Sequence, residues 1–367
     1  MYKYLALMLV TIYTCFSLVL PVLFVNKLVF MLMLVMLFIG VVFGNVKVIT
    51  FSPFLIIIIF LYSFLISMTT GVAEGLRQQL MLVCLSLLLI YYIKYTDVCM
   101  DSVALFSGVV LSLSTLILFL SVVFEIDSLQ TVFDNYGSIA AGSRDVGNGV
   151  QDFYRLGGLP FLFISFSVVV RNLSLKFDFW NVFYFFLISF FIILSSTRSV
   201  LVGCILILFF MFGRKHIILS IYLLFIALAY LLVKFDPAGG FFDTNDFGNA
   251  IKIKDALSFL DWANVTNILF GEGLASLYYS GGRGYFVAQT EITLLDNIRY
   301  FGLILTIVFY SAILFPNYKK LAYKVDGGFY FAVMFIYILM SMTNPMLVNS
   351  FGFIVVLWYW SNVLNVK

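Results

Sequence analysis

The arrangement of this chain is decided by residues 234–291, which read KFDPAGGFFDTNDFGNAIKIKDALSFLDWANVTNILFGEGLASLYYSGGRGYFVAQTE. This stretch mixes charges, glycines and aromatic residues, and it is the only long run that a lipid bilayer would reject. An apolar segment follows it directly, starting at Ile292. The stretch is therefore expected to be a large polar loop, held over one face of a membrane by the apolar segments around it.

The composition of the whole chain is that of a polytopic integral membrane protein. Hydrophobic residues make up 63% of the 367 residues and charged residues only 11%, whereas soluble domains average roughly 45–50% and 25%. The apolar runs are long, unlike the alternating strands of about ten residues in outer-membrane barrels. The sequence therefore predicts an all-α membrane fold in a single polytopic domain, residues 1–367.

Charged and turn-rich breaks divide the chain into about twelve candidate transmembrane helices, each near the roughly 20 residues that a tilted span needs. The predicted spans cover residues 4–25, 28–45, 50–70, 78–94, 102–124, 157–171, 179–196, 199–213, 217–233, 293–315, 328–343 and 347–364. The first run is long enough to span and lacks a small-residue cleavage site, so no cleavable signal peptide is expected.

Lysine placement predicts the orientation. With both termini in the cytoplasm, nine of the thirteen lysines fall on the inner side, which satisfies the positive-inside rule. Two longer segments then lie outside, 125–156 and 234–292. Six of the eight arginines lie outside or at the outer interface: Arg77, Arg144, Arg155, Arg198, Arg283 and Arg299. Because the planar arginine fork fits phosphate and carboxylate bidentately, an anionic ligand is expected at the outer face.

Two of these arginines have no acidic residue close by in sequence. Arg198 lies in LSSTRSV between two apolar runs, where it either snorkels to lipid phosphate or grips a substrate phosphate. Neutral donors nearby would assist the second role: Ser195, Ser196, Thr197 and Ser199. Arg283 lies in the glycine-rich segment YYSGGRGYF, which is either a solvated hairpin tip or a backbone that a ligand approaches closely.

The other outer arginines have a carboxylate partner at hand. Arg77, Arg155 and Arg299 each follow an acidic residue by three positions, a spacing that permits a side-chain pair on a helix, and Arg144 adjoins Asp145. A structural ion pair is favoured for Arg77 and Arg144. For Arg155 and Arg299, a pair and a ligand-binding role are both open.

Glu291 is the candidate general base, because it stands where the loop re-enters the membrane and partial desolvation would strengthen it as a base. The alternative is a carboxylate that complements the dipole of the next helix. Residues 252–264 fit an amphipathic helix with Ile253, Leu257 and Leu260 along one stripe, lying on the membrane surface or over the site.

The remaining motifs are weak. The acidic run at 243–246 is expected to be solvated rather than cation-binding, and the Gly-Glu-Gly at 271–273 is too short for a phosphate loop. Four cysteines without a CxxC pair, and a single histidine, are expected to form neither a disulfide nor a zinc site. No metal, cofactor, nucleotide or nucleic acid is expected to bind, and the absence of mid-span charges argues against an ion-coupled transporter.

Three blocks of the sequence together resemble bacterial O-antigen polymerases of the Wzy type and the related O-antigen ligases. The blocks are RLGGLPFLFISFS at 155–167, LSSTRSVLVGCILILFF at 194–210, and the loop end LFGEGLAS followed by TEITLLDNIRYFGLIL. The resemblance covers roughly residues 150–310. It implies a GT-C-like architecture of about twelve helices with a large periplasmic loop.

The resemblance also implies a function. Such proteins move a growing glycan from undecaprenyl pyrophosphate onto a new lipid-linked repeat unit, by inverting, metal-independent transfer at the periplasmic face of the inner membrane. By motif, Arg198 and Arg155 match arginines that hold the pyrophosphate, with Arg283 and Arg299 as further contacts and Glu291 as the base. Partners would be the lipid-linked oligosaccharide, membrane lipid and a chain-length regulator.

Other functions stay open at this point. An O-antigen ligase, which transfers glycan to lipid A-core, is the nearest alternative, although ligases show a histidine near the position of Glu291 and this chain has none there. A flippase of lipid-linked oligosaccharides is an alternative of another class. A peptidoglycan polymerase of the RodA kind has similar architecture without matching motifs, and a purely structural membrane protein is the remaining interpretation.

Overall fold

The computed structural model describes residues 2–44, 46, 48–137, 139–145, 150–195, 197–213, 247–317, 325–342 and 344–364. The described chain is mainly α-helical. Within the described ranges, four helices are long and apolar enough to cross a membrane: Phe24–Val42, Ser52–Thr69, Glu74–Tyr95 and Met100–Val123. Six shorter apolar helices of 10–17 residues accompany them. The chain thus has the helices of a multi-pass membrane protein.

The N-terminal half is a series of these helices. They are α1 Tyr2–Val19, α2 Phe24–Val42, α3 Ser52–Ile66, α4 Glu74–Leu85, α5 Leu89–Thr96 and α6 Met100–Val123. A 3₁₀ turn, Ser86–Leu88, joins α4 and α5 into one span. Every predicted span except the ninth overlaps a described helix; residues 217–233 lie outside the described residues. The total of twelve spans remains a prediction.

The predicted outer segment 125–156 has secondary structure of its own. It contains helix α7, Asp127–Tyr136, and an antiparallel hairpin of β1, Ile139–Asp145, and β2, Val150–Leu156. A second hairpin, β3 Tyr278–Ser280 and β4 Tyr285–Val287, lies in the large loop. The described chain is thus mainly α-helical, as predicted, with these two hairpins as additions that the sequence did not predict.

The remaining helices complete the described fold. They are α8 Leu162–Leu175, α9 Phe179–Leu194, α10 Arg198–Gly213, α11 Phe247–Trp262, α12 Val265–Phe270, α13 Thr293–Phe301, α14 Leu303–Leu314, α15 Val325–Met342 and α16 Ser350–Leu364. Helices α8 and α16 are buried on nearly every side; residues 162–170 are all buried, and so are residues 352–361. A helix that is apolar all round belongs in the interior, so these two form the centre.

Hydrogen bonds and ion pairs sort the helix ends into two groups. At the end with the N-terminus, Lys3 Nζ lies 2.7 Å from Asp97 Oδ2 and Lys94 Nζ lies 2.7 Å from the Ser361 carbonyl oxygen. At the opposite end, the Leu274 amide donates to the Ser63 carbonyl at 3.0 Å. Residues that were predicted to lie on the same side of the membrane therefore lie at the same end of the bundle. Which end faces the cytoplasm remains a prediction.

Asp101 connects four helices at the end of the bundle that contains the N-terminus. Its Oδ2 accepts from Arg171 Nη1 at 3.1 Å and from the Tyr330 hydroxyl at 2.8 Å, and its Oδ1 accepts from Trp358 Nε1 at 2.8 Å and Asn362 Nδ2 at 3.1 Å. One carboxylate thereby joins α6 to α8, α15 and α16. Hydrogen bonds to a charged acceptor are among the stronger ones, so this cluster holds the central helices in register.

The tenth predicted span, residues 293–315, is not one straight helix. Helices α13 and α14 meet at an angle of 117°. Gly302, between them, has a φ of +78°, and a Cβ there would overlap the backbone of Leu269. Only glycine combines that left-handed backbone with so close an approach, so the glycine sets the bend. The bend was not predicted, because apolarity alone does not report backbone direction.

Candidate functional site

Arg299 and Asp296 form a buried ion pair on α13. Their side chains are 1% and 2% exposed, and Arg299 Nη1 lies 3.1 Å from Asp296 Oδ1. Arg299 Nη2 also donates to the carbonyl oxygens of Ser276 at 2.6 Å and Ala288 at 3.1 Å. The guanidinium lies 4.5 Å from the centroid of the Tyr278 ring, within cation–π range. Arg299 thus ties the residues on both sides of the β3–β4 hairpin to α13.

This geometry gives Arg299 a role other than the predicted pyrophosphate contact. The guanidinium is enclosed, and its terminal nitrogens donate to partners within the fold. A pyrophosphate at the membrane surface needs an arginine whose donors face outward. Of the two interpretations left open by the sequence, the internal ion pair is the one the structure contains, and Arg299 supports the site by holding the loop.

Asp255 fixes the tip of the β3–β4 hairpin from helix α11. It is 1% exposed, and its Oδ1 accepts hydrogen bonds from the Ser280 hydroxyl and, at 3.2 Å, from the Gly282 amide. The Ser280 hydroxyl oxygen in turn accepts from the Arg283 amide at 3.0 Å. Burial raises the pKa of Tyr278 to about 12, so this phenol stays protonated and donates to the Asp255 carbonyl at 2.6 Å.

The hairpin tip presents Arg283 on a fixed backbone. The arginine is exposed, and the neighbouring strands carry the exposed aromatic side chains Tyr279, Tyr285 and Phe286. Both interpretations from the sequence, a solvated tip and a ligand contact, fit this placement. The structure adds that Asp255 determines where the arginine stands.

Glu291 lies beside the amphipathic helix rather than alone at the membrane surface. Its Oε2 is 3.5 Å from Lys252 Nζ, and the two side chains are 36% and 29% exposed. The carboxylate is half-buried. Lys252 was not identified from the sequence, because its distance of 39 positions from Glu291 gives no local signal.

The segment 252–264, predicted to be an amphipathic helix, is helical as far as Trp262, as part of α11, Phe247–Trp262. The stripe that the spacing predicts points away from the protein, with Ile253 45%, Leu257 57% and Leu260 67% exposed. Asp255 and Lys252, on the other side of the helix, face the loop. Helix α11 therefore contacts the site residues with its polar face and leaves its apolar stripe free.

Arg198 begins helix α10 and is half-buried. Two of the neutral donors predicted to assist it serve the turn instead: the Ser195 hydroxyl donates to the Ile192 carbonyl at 2.7 Å, and the Thr197 amide donates to Ser195 Oγ at 3.3 Å. Ser196 lies outside the described residues. The local sequence thus builds a polar turn that places Arg198 at the first position of α10.

Asn344 links the turn at Arg198 to the end of the large loop. Its carbonyl oxygen accepts from the Thr293 hydroxyl at 2.8 Å, and its Nδ2 lies 3.5 Å from Ser199 Oγ. Ser199 adjoins Arg198, and Thr293 lies two residues after Glu291. The predicted base and the predicted phosphate ligand therefore belong to segments that meet at one end of the bundle. Asn344 was not identified from the sequence.

Arg155 stands in β2 opposite Ala140, and its side chain lies outside the described part. Two glycines follow it closely, and a Cβ at Gly158 would overlap the backbone of Leu18. The glycine of the Arg-Leu-Gly-Gly block is thus needed for close packing against the end of α1. This contact brings the Arg155 segment to the same end of the bundle as Asn344.

A cavity of about 340 Å³ opens between these segments. Gly157 and Gly158 contribute from the Arg155 block, Gln289 from the loop end, and Pro345 from the segment that follows Asn344. The cavity is therefore bordered by close sequence neighbours of Arg155, Glu291 and Asn344. No sequence pattern within any one of these segments predicts the cavity.

The other sequence predictions have simpler outcomes. Arg77 pairs with Glu74, as favoured, through two oxygens at 2.7 and 2.6 Å. The side chain of Arg144 and the whole of 243–246 lie outside the described part. The glycines at 271 and 273 have positive φ, and a Cβ there would overlap the backbone at the end of α13 and at the end of α3, respectively, so they serve packing. All four cysteines are free.

Searches for related proteins identify no family. The chain matches no family model, no characterised protein and no solved structure. Among the described residues, no three His, Cys, Asp or Glu side chains lie close enough together to hold a metal ion.

Proposed function

We propose that this chain is a surface-polysaccharide polymerase of the O-antigen type at the outer face of a bacterial inner membrane. It transfers a growing glycan from undecaprenyl pyrophosphate onto a new lipid-linked repeat unit. The observation that carries the proposal is the contact of Asn344 with both Thr293 and Ser199, because it joins the segments of Glu291 and Arg198. An acid–base residue and a phosphate-binding residue are the two groups that this transfer needs.

The reaction is an inverting displacement. An acceptor hydroxyl oxygen bonds to the anomeric carbon of the donor glycan while the bond from that carbon to the pyrophosphate oxygen breaks. The electron pair stays on the pyrophosphate, and the hydroxyl proton passes to the Glu291 carboxylate. A positioned base contributes roughly 10²–10⁴-fold.

The arginines act on the leaving group. Arg198 and Arg155 stabilise the charge that develops on the pyrophosphate, each charge-assisted contact contributing about 1.5–3 kcal/mol. Arg283 approaches the same group from the hairpin tip. Lys252 holds Glu291 between turnovers, and the acceptor hydroxyl displaces it when the lipid-linked repeat unit binds.

The lipid tails need an apolar surface beside the site. Helix α2 offers one along its length, with Leu28 58% and Phe38 69% exposed. In a bilayer such side chains contact acyl or polyprenyl chains at no desolvation cost. The proposed partners are membrane lipid, the polyprenyl carrier and a chain-length regulator. Both termini are proposed to lie in the cytoplasm.

Complementation of a deletion strain tests the proposal. Arg198→Ala and Glu291→Gln should each abolish polymer longer than one repeat unit while the protein remains inserted in the membrane. Matched controls are Arg77→Ala, whose guanidinium pairs with Glu74, and Glu125→Gln, which is exposed; both should retain polymer. Normal ladders of chain length from both site variants would refute the site.

The deletion strain itself separates the alternatives. Loss of every chain length beyond one repeat, with single repeats still attached to lipid A-core, supports the polymerase. Loss of all capped lipid would indicate the ligase instead. Accumulation of lipid-linked repeat units on the inner leaflet would indicate a flippase.

A further inference from the structure

The cavity at the outer end of the bundle is built for an uncharged ligand. Its volume of about 340 Å³ falls at the lower end of the roughly 300–1,000 Å³ typical of small-molecule sites. None of the described side chains that line it is charged. A pyrophosphate would lose its hydration there without a counter-charge, which is costly. The ligand of this cavity is therefore neutral.

Polar groups nevertheless converge on the cavity from three directions. Gln79 of α4 and Gln289 of the loop end both line it, and neither carboxamide makes a hydrogen bond within the described part of the chain. Each amide offers two donors and one acceptor oxygen. Ser17 of α1 also lines the cavity; it is 2% exposed, and its hydroxyl meets no partner with hydrogen-bond geometry among the described residues. Gln79 is exposed and Gln289 is partly buried, so both amides are accessible to a ligand, and Ser17 is the one buried group of the three.

The cavity also has apolar walls. Leu80 and Phe351 supply apolar surface. Asn349, at the rim, uses its own carboxamide to cap α16, accepting from the Gly352 amide at 2.8 Å and donating to the Pro345 carbonyl at 2.8 Å. A sugar ring combines hydroxyl groups at its edge with an apolar C–H face, which matches a site with two free amides, a hydroxyl and apolar walls.

We infer that this cavity binds a neutral sugar of the acceptor repeat unit, held by Gln79 and Gln289, an assignment that rests on the proposed glycosyl transfer. Gln289 lies two residues before Glu291, so a sugar bound here stands next to the proposed base. The pyrophosphate of the donor stays outside, at the arginines. The acceptor sugar and the leaving group thereby bind on opposite sides of the base.

A labelling experiment tests the assignment without requiring turnover. The full-length protein in nanodiscs carries Cys99→Ser, which removes the exposed native cysteine, and Ser350→Cys, which places a maleimide-reactive thiol at the cavity wall. The probe is neutral oligosaccharide released by mild acid from the polyprenyl-linked glycans of the source organism. Without pyrophosphate it has no leaving group, so it cannot act as a donor.

The expected result is slower labelling with the oligosaccharide and unchanged labelling with inorganic pyrophosphate. Gln79→Ala and Gln289→Ala should each raise the half-protecting concentration by roughly three- to tenfold, the loss of one neutral hydrogen bond or two. Gln78→Ala is the matched control, because Gln78 is the adjacent, exposed amide outside the cavity, and it should have no effect.

Three results would overturn the assignment: no protection by the oligosaccharide, equal protection by pyrophosphate, or Gln79 and Gln289 variants that behave like the Gln78 variant. Extension of lipid-linked repeat units is measured in parallel on the same preparations. If the lipid-linked repeat units are extended but the oligosaccharide does not protect the thiol, the sugar-site assignment is refuted and the proposed polymerase function is not. If the oligosaccharide protects the thiol but the repeat units are not extended, the polymerase function is refuted and the sugar site is not.

Discussion

Replacing Arg299 with alanine should unfold the large loop rather than only weaken substrate binding. The change leaves Asp296, 2% exposed, as a buried carboxylate without its counter-charge, and breaking a buried ion pair in this way costs about 3–5 kcal/mol. The carbonyl oxygens of Ser276 and Ala288 lose a charged donor as well. The expected result is a fall of that size in the free energy of unfolding, measured by denaturant titration of the purified protein in micelles.

Arg283→Ala is the control, because this arginine is exposed at the hairpin tip and surface substitutions usually change stability by less than about 0.5 kcal/mol. The double change Asp296→Asn with Arg299→Met should recover much of the loss, since replacing both members of a buried pair is far milder than removing one. If Arg299→Ala kept full stability and lost only polymerisation, Arg299 would be a substrate ligand after all, and the reasoning from burial would be refuted.

Three further predictions concern the loop and its junction with the membrane. Gly302→Ala should cost at least about 2 kcal/mol of thermal stability, because the residue has positive φ and a crowded Cβ position; Gly75→Ala, with open space around it, should not, and equal effects would contradict the account of the bend. Asp255→Ala should speed tryptic cleavage at the hairpin tip about 30- to 150-fold, equivalent to about 2–3 kcal/mol of lost charged hydrogen bonds; unchanged cleavage would mean that other contacts hold the tip. A spin label at Leu257→Cys should be more accessible to oxygen than to a water-soluble nickel complex, as expected of an apolar stripe in lipid, and an aqueous profile would place α11 away from the bilayer.

The sequence was a good guide to the helices and a poorer guide to their interruptions. Long apolar runs report burial in lipid or core directly, so every predicted span except 217–233, which lies outside the described residues, overlaps a described helix. The bend at Gly302 and the two hairpins were not predicted, because each depends on which segments of the backbone approach one another. Gly158 and Gly302 are glycines for the same reason: a Cβ would overlap a neighbouring backbone.

For the candidate site, local spacing identified the pairs Arg77–Glu74 and Arg299–Asp296, but it did not separate an exposed pair from a buried one. The side chains of Arg77 and Glu74 are 12% and 60% exposed, against 1% and 2% for the other pair. Both pairs have the same spacing of three, so the difference comes from the loop that covers α13. Asp255, Lys252 and Asn344 gave no signal at all, since their partners are distant in the sequence.

By itself, the amino-acid sequence determined that this is a helical membrane protein with a large polar loop, because both follow from solubility in lipid, residue by residue. It also placed Arg198 and Glu291 at the ends of apolar segments. The tertiary structure alone decided that these ends meet through Asn344, that Arg299 faces inward, and that a neutral cavity lies beside Gln289. Those outcomes depend on contacts between segments far apart in the chain, which no local pattern of residues encodes.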